Sequence, residues 1–179
     1  MKYKDALKQA METLAADRRV IFIGYNIAAG SRAYGTLADV TKDKCIEMPV
    51  AENLMADLAI GMAMEGFKPV LFFERHDFML NASDALVNHL DKMKELSGGA
   101  FTAPVIIRAA VGGTTPIYPG LQHIQNFTDV FRKVIRFPIY ELKTADDILR
   151  RYSEALEAGE PVMLVEERNL YDHDSKSHS

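Results

Sequence analysis

Short apolar runs alternate with amphipathic segments along the chain, and this alternation limits the possible folds more than any other feature. Apolar runs bounded by turn residues are typical of buried strands, whereas apolar residues recurring every three or four positions predict helices. The predicted strands cover residues 20–24, 45–48, 68–73, 104–109, 134–142 and 161–166. The predicted helices cover residues 3–14, 51–66, 77–96, 125–132 and 144–158, and Thr144 with Asp147 looks like a capping box. The pattern indicates a mainly parallel sheet with helices on both faces, a three-layer α/β/α sandwich.

Composition is compatible with one globular domain and excludes several other classes. The 179 residues are 48% hydrophobic and 26% charged, which suits a single domain with a sizeable core. A net charge of -4 with scattered Lys and Arg offers no basic surface for nucleic acid. The single cysteine fits a reducing compartment, and neither a signal peptide nor a membrane span is visible. We predict a cytoplasmic protein with a domain over 1–168 and a polar, disordered tail over 169–179.

Ligands of such sheets bind beyond the carboxyl ends of the strands. The segments at those ends are 24–31, 49–53, 74–78 and 111–122, and the long loop 25–43 has the length of a functional loop. The sequence contains no Gly-x-Gly-x-x-Gly after the first strand, no P-loop, no Gly-x-Ser-x-Gly and no pair of histidines at helical spacing. The chain therefore lacks a phosphate cradle of its own, and we expect no metal ligands in it.

Glu52 stands at the start of a helix that is otherwise almost entirely apolar. Only Asp57 adds a charge before Glu65, so this helix has no broad polar face and should be covered on most sides, in part by another protein chain. A carboxylate at such a position has two interpretations. It can be a first-turn residue stabilised by the helix dipole, worth roughly 0.3 to 1 kcal/mol, or it can be part of a catalytic site.

A series of short motifs runs along the chain: Pro49-Val50-Ala51-Glu52, Phe72-Phe73, Asp77-Phe78, Asp84 with Val87-Asn88, Ser97-Gly98-Gly99, Pro104-Val105-Ile106-Ile107-Arg108, Gly112-Gly113 and Gln122-His123-x-Gln125. In order and spacing they resemble the pyrimidine-binding domain of transketolase-like thiamine diphosphate enzymes. The similarity is greatest to the beta subunit of the 2-oxo-acid dehydrogenase first component, and it covers about residues 3–167. Each motif is weak alone, but their ordered succession is fairly specific.

The resemblance implies the thiamine diphosphate-binding fold and a role for three residues. Glu52 matches the glutamate that hydrogen-bonds the cofactor's aminopyrimidine ring and so promotes loss of the thiazolium C2 proton. Phe78 matches an aromatic residue that packs on the pyrimidine, and His123 matches a histidine that family members use near substrate. The alternatives are a core position for Phe78 and a surface or loop-packing role for His123. His76 is a further candidate for the same cleft, whereas His89 is expected to be structural.

The chain also departs from the family pattern. Tyr25 and Asn26 follow the first strand, where the dehydrogenase beta subunits carry acidic residues. The sequence lacks the Gly-Asp-Gly motif and downstream Asn that hold the diphosphate and Mg²⁺ in the family, and we expect the family's carboxy-terminal domain to be missing. The resemblance therefore implies that this chain holds half of the cofactor and works with a separate diphosphate-binding subunit that carries the motif.

The sequence leaves the assembly and the reaction open. We expect self-association as a homodimer without that partner, or a heterotetramer with it, and a 2-oxo acid or a ketose sugar as substrate. One rival hypothesis is a non-catalytic assembly or regulatory homologue with the same fold. Another is an unrelated flavodoxin-like binding domain, which would bind its ligand without a second chain.

Overall fold

A computed structural model describes residues 1–115 and 117–173. It contains the strands β1 (Val20–Gly24), β2 (Cys45–Glu47), β3 (Lys68–Phe73), β4 (Ile106–Val111), β5 (Ile139–Leu142) and β6 (Val162–Glu167). They form a six-stranded sheet in the order β2-β1-β3-β4-β6-β5, in which every pairing is parallel. The predicted parallel sheet is confirmed.

The helices are α1 (Tyr3–Ala16), α2 (Glu52–Met64), α3 (His76–Met79), α4 (Met93–Leu96), α5 (Thr128–Val134) and α6 (Ala145–Glu157). Short 3₁₀ turns cover Lys42–Lys44, Leu80–Ala82, Leu121–His123 and Arg168–Leu170, and a π-helical turn covers Ala85–Leu90. Thr144 Oγ1 accepts a hydrogen bond from the Asp147 backbone N–H at 3.1 Å, so the cap predicted for α6 is present. No helix in the described part of the chain is long and apolar enough to cross a bilayer.

Helices cover both faces of the sheet. On one face the strands pack against α1 and α6 through residues such as Phe22, Phe72 and Leu164. On the other face they pack against α2 and α5 through residues such as Leu71 and Met163. Because successive strand residues point to opposite faces, strands buried on both sides are apolar at almost every position. The three-layer α/β/α architecture is therefore confirmed.

The helix predicted over 77–96 was wrong as a single element. The segment divides into α3, a 3₁₀ turn, the π-helical turn and α4. Asn53, on α2, contributes to this division because its Oδ1 accepts the backbone N–H of Ala85 at 3.1 Å. A neighbouring helix thus takes a donor that a continuous helix would use internally. The helix predicted over 125–132 and the strand predicted over 134–142 also begin later than expected, at Thr128 and Ile139.

The packed body extends beyond the predicted boundary at residue 168. Tyr171 is buried, and the carbonyls of Tyr171 and His173 accept the backbone N–H groups of Lys4 and Tyr3 at the start of α1. These bonds satisfy donors that a helix N-terminus leaves open. The disorder predicted from Asn169 onward therefore does not extend to residues 169–173, and residues 174–179 lie outside the described residues.

A buried polar cluster lies between the sheet and α6. Both Glu166 carboxylate oxygens accept hydrogen bonds from Arg108, one of them at 3.0 Å, and the hydroxyls of Tyr152 and Tyr171 donate to them at 2.7 and 2.6 Å. Arg108 also donates to Thr36 Oγ1 at 2.7 Å. Burial raises the pKa of both tyrosine hydroxyls well above the usual range, so they remain donors. The cluster connects β4, β6, α6, the loop after β1 and the turn after β6.

Candidate active site

The carboxyl ends of β1 to β4 lie at one edge of the sheet, and the candidate residues follow them. The backbone N–H of Met48 donates to the Gly24 carbonyl at 2.8 Å, which fixes the segment between β2 and α2 against the end of β1. This contact determines where α2 begins, and Glu52 is its first residue. The predicted location of the site at this edge follows from the parallel topology.

Glu52 is buried, with 4% of its surface exposed, although it carries a carboxyl group. The Tyr25 hydroxyl donates to its Oε1 over a long distance of 3.5 Å. Burial raises the pKa of Tyr25, so this hydroxyl keeps its proton and acts as the donor. Tyr25 and Met55 belong to the apolar cluster beneath α2. Glu52 therefore presents a carboxyl group in apolar surroundings. Its hydrogen-bond partner Tyr25 stands at the position where the dehydrogenase beta subunits usually carry an acidic residue.

Phe78 and His123 come together from distant parts of the sequence. Phe78 lies on α3, and His123 ends the turn Leu121–His123. Their rings meet edge to face, with centroids 5.2 Å apart and planes at 86°. Phe78 also packs against the apolar cluster that contains Met55, one turn after Glu52 in α2. His123 Nδ1 is buried and has no hydrogen-bond partner among the described residues.

Two other histidines have structural surroundings. His76 is fully buried, and its Nδ1 accepts the backbone N–H of Phe127 at 3.1 Å, so it does not line an open cleft. Burial lowers the pKa of His76 to about 4, which keeps the ring neutral near pH 7. His89 Nδ1 lies 2.7 Å from Asp57 Oδ1 on α2, and this hydrogen bond raises the pKa of His89. His89 thus links α2 to the π-helical turn.

Sequence reasoning missed Glu47, which organises the loop after β1. Its two carboxylate oxygens accept four successive backbone N–H groups, those of residues 26–29, at 2.6 to 3.2 Å. Burial opposes the charge, but the four donors outweigh it and hold the pKa of Glu47 below its usual range. The signal available in the sequence was its position at the end of β2. Glu47 thereby fixes the chain immediately after Tyr25.

The loop after β4 begins at a position that requires glycine. Gly112 has a φ of +70°, and a Cβ there would lie 2.1 Å from Glu167 Oε1. Asn169 Oδ1 then accepts the backbone N–H groups of Gly113 and Thr114 at 3.2 and 3.0 Å. The Gly112-Gly113 pair thus allows the chain to leave β4 close to the turn after β6, before it continues towards His123.

Comparison with known proteins decides the family of this chain. A family model described as "Transketolase, pyrimidine binding domain" matches residues 1–173. The chain belongs to this family. Thiamine diphosphate is the cofactor of the transketolase and pyruvate dehydrogenase family, so the sequence-based resemblance is confirmed at the level of fold and cofactor class.

Relatives of this pyrimidine-binding domain are longer proteins. The pyruvate dehydrogenase E1 component subunit beta of Rickettsia conorii is 29% identical over 175 residues, covering 95% of this chain and 53% of the relative. The mitochondrial subunit of Saccharomyces cerevisiae is 28% identical over 176 residues, covering 96% and 48%. A solved structure described as a split gene transketolase, inactive beta4 tetramer, shares the fold with a TM-score of 0.70 and 17% identity, covering 92% of this chain and 50% of that one. The chain spans about half the length of the curated relatives it matches.

The residues of the site fit the pyrimidine half of thiamine diphosphate. An aminopyrimidine ring needs a hydrogen-bonding carboxyl group and an apolar or aromatic surface. Glu52 offers a buried carboxyl group whose contact to Tyr25 is long, and Phe78 offers an aromatic ring at the same side of the sheet. The unpartnered nitrogen of His123 adds a polar group that a bound molecule could satisfy.

Proposed function

We propose that this chain is the pyrimidine-binding subunit of a split thiamine diphosphate enzyme that acts on 2-oxo acids or ketose sugars. The observation that carries the proposal is Glu52, a buried carboxyl group at the first turn of α2, at the edge where ligands of parallel sheets bind. A carboxyl group without strong partners in apolar surroundings is costly to the fold. Its retention is explained if it acts on a bound ligand.

Each site residue has a separate role in this proposal. When bound, thiamine diphosphate supplies a thiazolium carbon that becomes a nucleophile towards substrate carbonyls. Glu52 would hold the aminopyrimidine ring through its carboxyl group and supply an ionisable proton there, Phe78 would pack against that ring, and His123 would donate or accept a proton beside the substrate. Tyr25 orients the Glu52 carboxyl group through its hydroxyl.

The diphosphate half of the site is assigned to a separate subunit. The 179 residues contain no Gly-Asp-Gly motif, and no group of three or more potential metal ligands is present in the described part of the chain. We propose that the partner carries this motif and its Asn, and that it holds the diphosphate and most contacts to Mg²⁺. Decarboxylation, acyl transfer and ketol transfer are the reaction classes that we propose for such a complex. Its cytoplasmic location stays a prediction from the sequence.

The isolated chain is expected to bind thiamine and thiamine diphosphate with the same weak affinity, because it contacts only the pyrimidine that both share. Calorimetric titration of each compound into the chain, with Mg²⁺ present, measures this. A preference for the diphosphate of more than about tenfold, equivalent to 1.4 kcal/mol, would place a diphosphate site in this chain and contradict the split site. A second titration adds the product of a neighbouring reading frame that carries Gly-Asp-Gly. In this mixture we expect tight binding of thiamine diphosphate but not of thiamine.

The outer side of α2 supports an interface at this edge. Leu54 is 55% exposed, Leu58 and Met62 are half-buried, and Gly61 is exposed. These residues recur every three or four positions, so they form an apolar stripe along α2, in which Leu58 and Met62 also pack against the core and Leu54 and Gly61 face outwards. A continuous apolar stripe is typical of a surface that another chain covers.

Leu54→Glu is expected to weaken self-association of the isolated chain by about 10- to 100-fold, because burying one leucine contributes roughly 1.5 to 3 kcal/mol. Sedimentation velocity over a concentration series measures the dissociation constant. Leu96→Glu is the matched control, since Leu96 is also exposed but lies on α4, before the amino end of β4. A wild-type chain that stays monomeric at high concentration would contradict the interface.

A further inference from the structure

Three consecutive residues of α3 hold the segment 123–127, which we call the His123 strap. Phe78 contacts the His123 ring, Asp77 Oδ1 accepts a hydrogen bond from Gln125 Nε2 at 2.7 Å, and His76 Nδ1 accepts the Phe127 backbone N–H at 3.1 Å. The contacts alternate along the strap, at residues 123, 125 and 127. One short helix therefore contacts the segment at three points along its length.

Besides these contacts, Phe127 packs against the apolar cluster beneath α2, and Asn126 Oδ1 accepts the backbone N–H of Thr128 at 2.9 Å, but the strap itself has little regular structure. It begins in the single 3₁₀ turn Leu121–His123, and α5 begins only at Thr128. Leu121, Gln125 and Asn126 are exposed, so little apolar burial restrains them. A segment with little regular structure keeps its conformational freedom unless side chains remove it.

The two hydrogen bonds are directional because their acceptors are fixed. Asp77 offers a carboxylate to a neutral amide, which gives a charge-assisted bond, and its Oδ2 is buried without a partner among the described residues. The neutral His76 ring carries its proton on Nε2, because Nδ1 accepts the Phe127 backbone N–H. The ring also packs edge to face against Phe131, with centroids 5.8 Å apart. The His76 ring cannot shift without losing its packing against Phe131.

We propose that Asp77 and His76 are positioning residues that fix the orientation of the His123 ring for its role in catalysis. This inference rests on the function proposed above, since it gives His123 a substrate to act on. Asp77 holds the strap through Gln125, and His76 holds its far end through the Phe127 backbone. The ring of His123 is then confined against Phe78, with its buried Nδ1 unpartnered among the described residues.

Gln125→Glu is the decisive variant, because it places a second carboxylate against Asp77 while changing only an exposed residue. We expect the two negative charges to push the strap away from α3. Adding Asp77→Asn should rescue the contact, since an amide then donates to a carboxylate with the roles exchanged, and the pair forms a double-mutant cycle. Asp129→Asn is the matched control, because Asp129 is exposed and pairs with Arg132 on α5 outside the strap.

The first measurement needs no partner or cofactor. In the chain alone, NMR signals of the His123 ring should carry a ring-current shift from Phe78, and Gln125→Glu should move them towards random-coil values. The double variant should return them to the wild-type positions, and Asp129→Asn should leave them unchanged. Unmoved His123 signals in Gln125→Glu would overturn the inference, whatever the enzyme does.

The second measurement uses the complex with the diphosphate-binding subunit. A displacement of about 1 Å can lower a rate by about 10²-fold, so Gln125→Glu should lower kcat by about 10- to 100-fold with little change in KM. The exchange rate of the cofactor C2 proton should not change. If the ring signals move and kcat stays at the wild-type value, His123 is not positioned for catalysis and this inference fails. If the complex has no thiamine diphosphate-dependent activity in any form, the proposed function fails instead, and moved ring signals then leave only the structural contact standing.

Discussion

Glu52→Gln is expected to slow exchange of the C2 proton of bound thiamine diphosphate by about 10²- to 10⁴-fold, the usual effect of losing a positioned acid or base. The amide keeps the size of the side chain, but it has no ionisable carboxyl group. Glu52 is the first residue of α2, and the rest of this helix is held by apolar packing. The fold and the assembly should therefore persist in the variant. NMR in deuterated water, on the complex with the diphosphate-binding subunit, measures the exchange rate directly.

The alternative interpretation of Glu52 gives a different result. A carboxylate that only interacts with the helix dipole is worth about 0.3 to 1 kcal/mol of stability, and its loss would leave exchange unaffected. Asp57→Asn is the matched control, because Asp57 lies on the same helix and contacts Asn53 and His89 rather than the candidate site. Wild-type exchange in Glu52→Gln would remove this residue from the mechanism and favour the helix-dipole interpretation.

The sheet could be predicted from sequence because its strands are buried on both faces. Residues 68–73 are apolar at almost every position, and β3 has the predicted bounds. The prediction of a single helix over 77–96 was wrong because the outcome depends on a contact outside that segment. Its helical pattern is strong, but the division of the helix involves Asn53, whose side chain reaches across from α2 to Ala85. A contact between residues so far apart in sequence leaves no local signal.

The candidate site shows the same division. Glu52 is conspicuous as a charge in an apolar segment, and its burial fits that observation. Phe78 and His123 stand out only through the resemblance, and their ring contact joins α3 to the turn Leu121–His123. The partners of Glu47 and Asp77 are invisible in the sequence, because they depend on how the loops fold back over the ends of the strands.

The Arg108–Glu166 pair was equally invisible, since the two residues lie on different strands and are far apart in sequence. In the fold both side chains are buried on the same side of the sheet, and the Arg108 guanidinium lies 4.7 Å from the centroid of the Phe72 ring. Arg108 Nη1 has no partner among the described residues. Because little solvent reaches either group, the stability of the fold here depends on each charge being neutralised by the other.

Glu166→Gln is expected to lower the free energy of unfolding by about 3 to 5 kcal/mol, because it leaves the Arg108 charge buried without a counter-charge. For a chain of this size the melting temperature should fall by about 10 °C. Urea denaturation followed by circular dichroism gives the free energy, and scanning calorimetry gives the temperature. Glu167→Gln, the next residue along β6, is the matched control and should have a small effect, because Glu167 is only half-buried.

A double variant separates the charge from the shape of the side chains. Adding Arg108→Met to Glu166→Gln removes the orphaned charge and keeps an elongated side chain against Phe72, so the double variant should be more stable than Glu166→Gln alone. Tyr152 and Tyr171 donate to different oxygens of Glu166, so in Glu166→Gln one hydroxyl keeps an oxygen acceptor and the other faces the amide NH₂ group, from which it can accept. If Arg108→Met instead makes the double variant less stable than Glu166→Gln alone, packing and hydrogen bonds of Arg108 outweigh its unpaired charge, and the electrostatic explanation of this cluster is wrong.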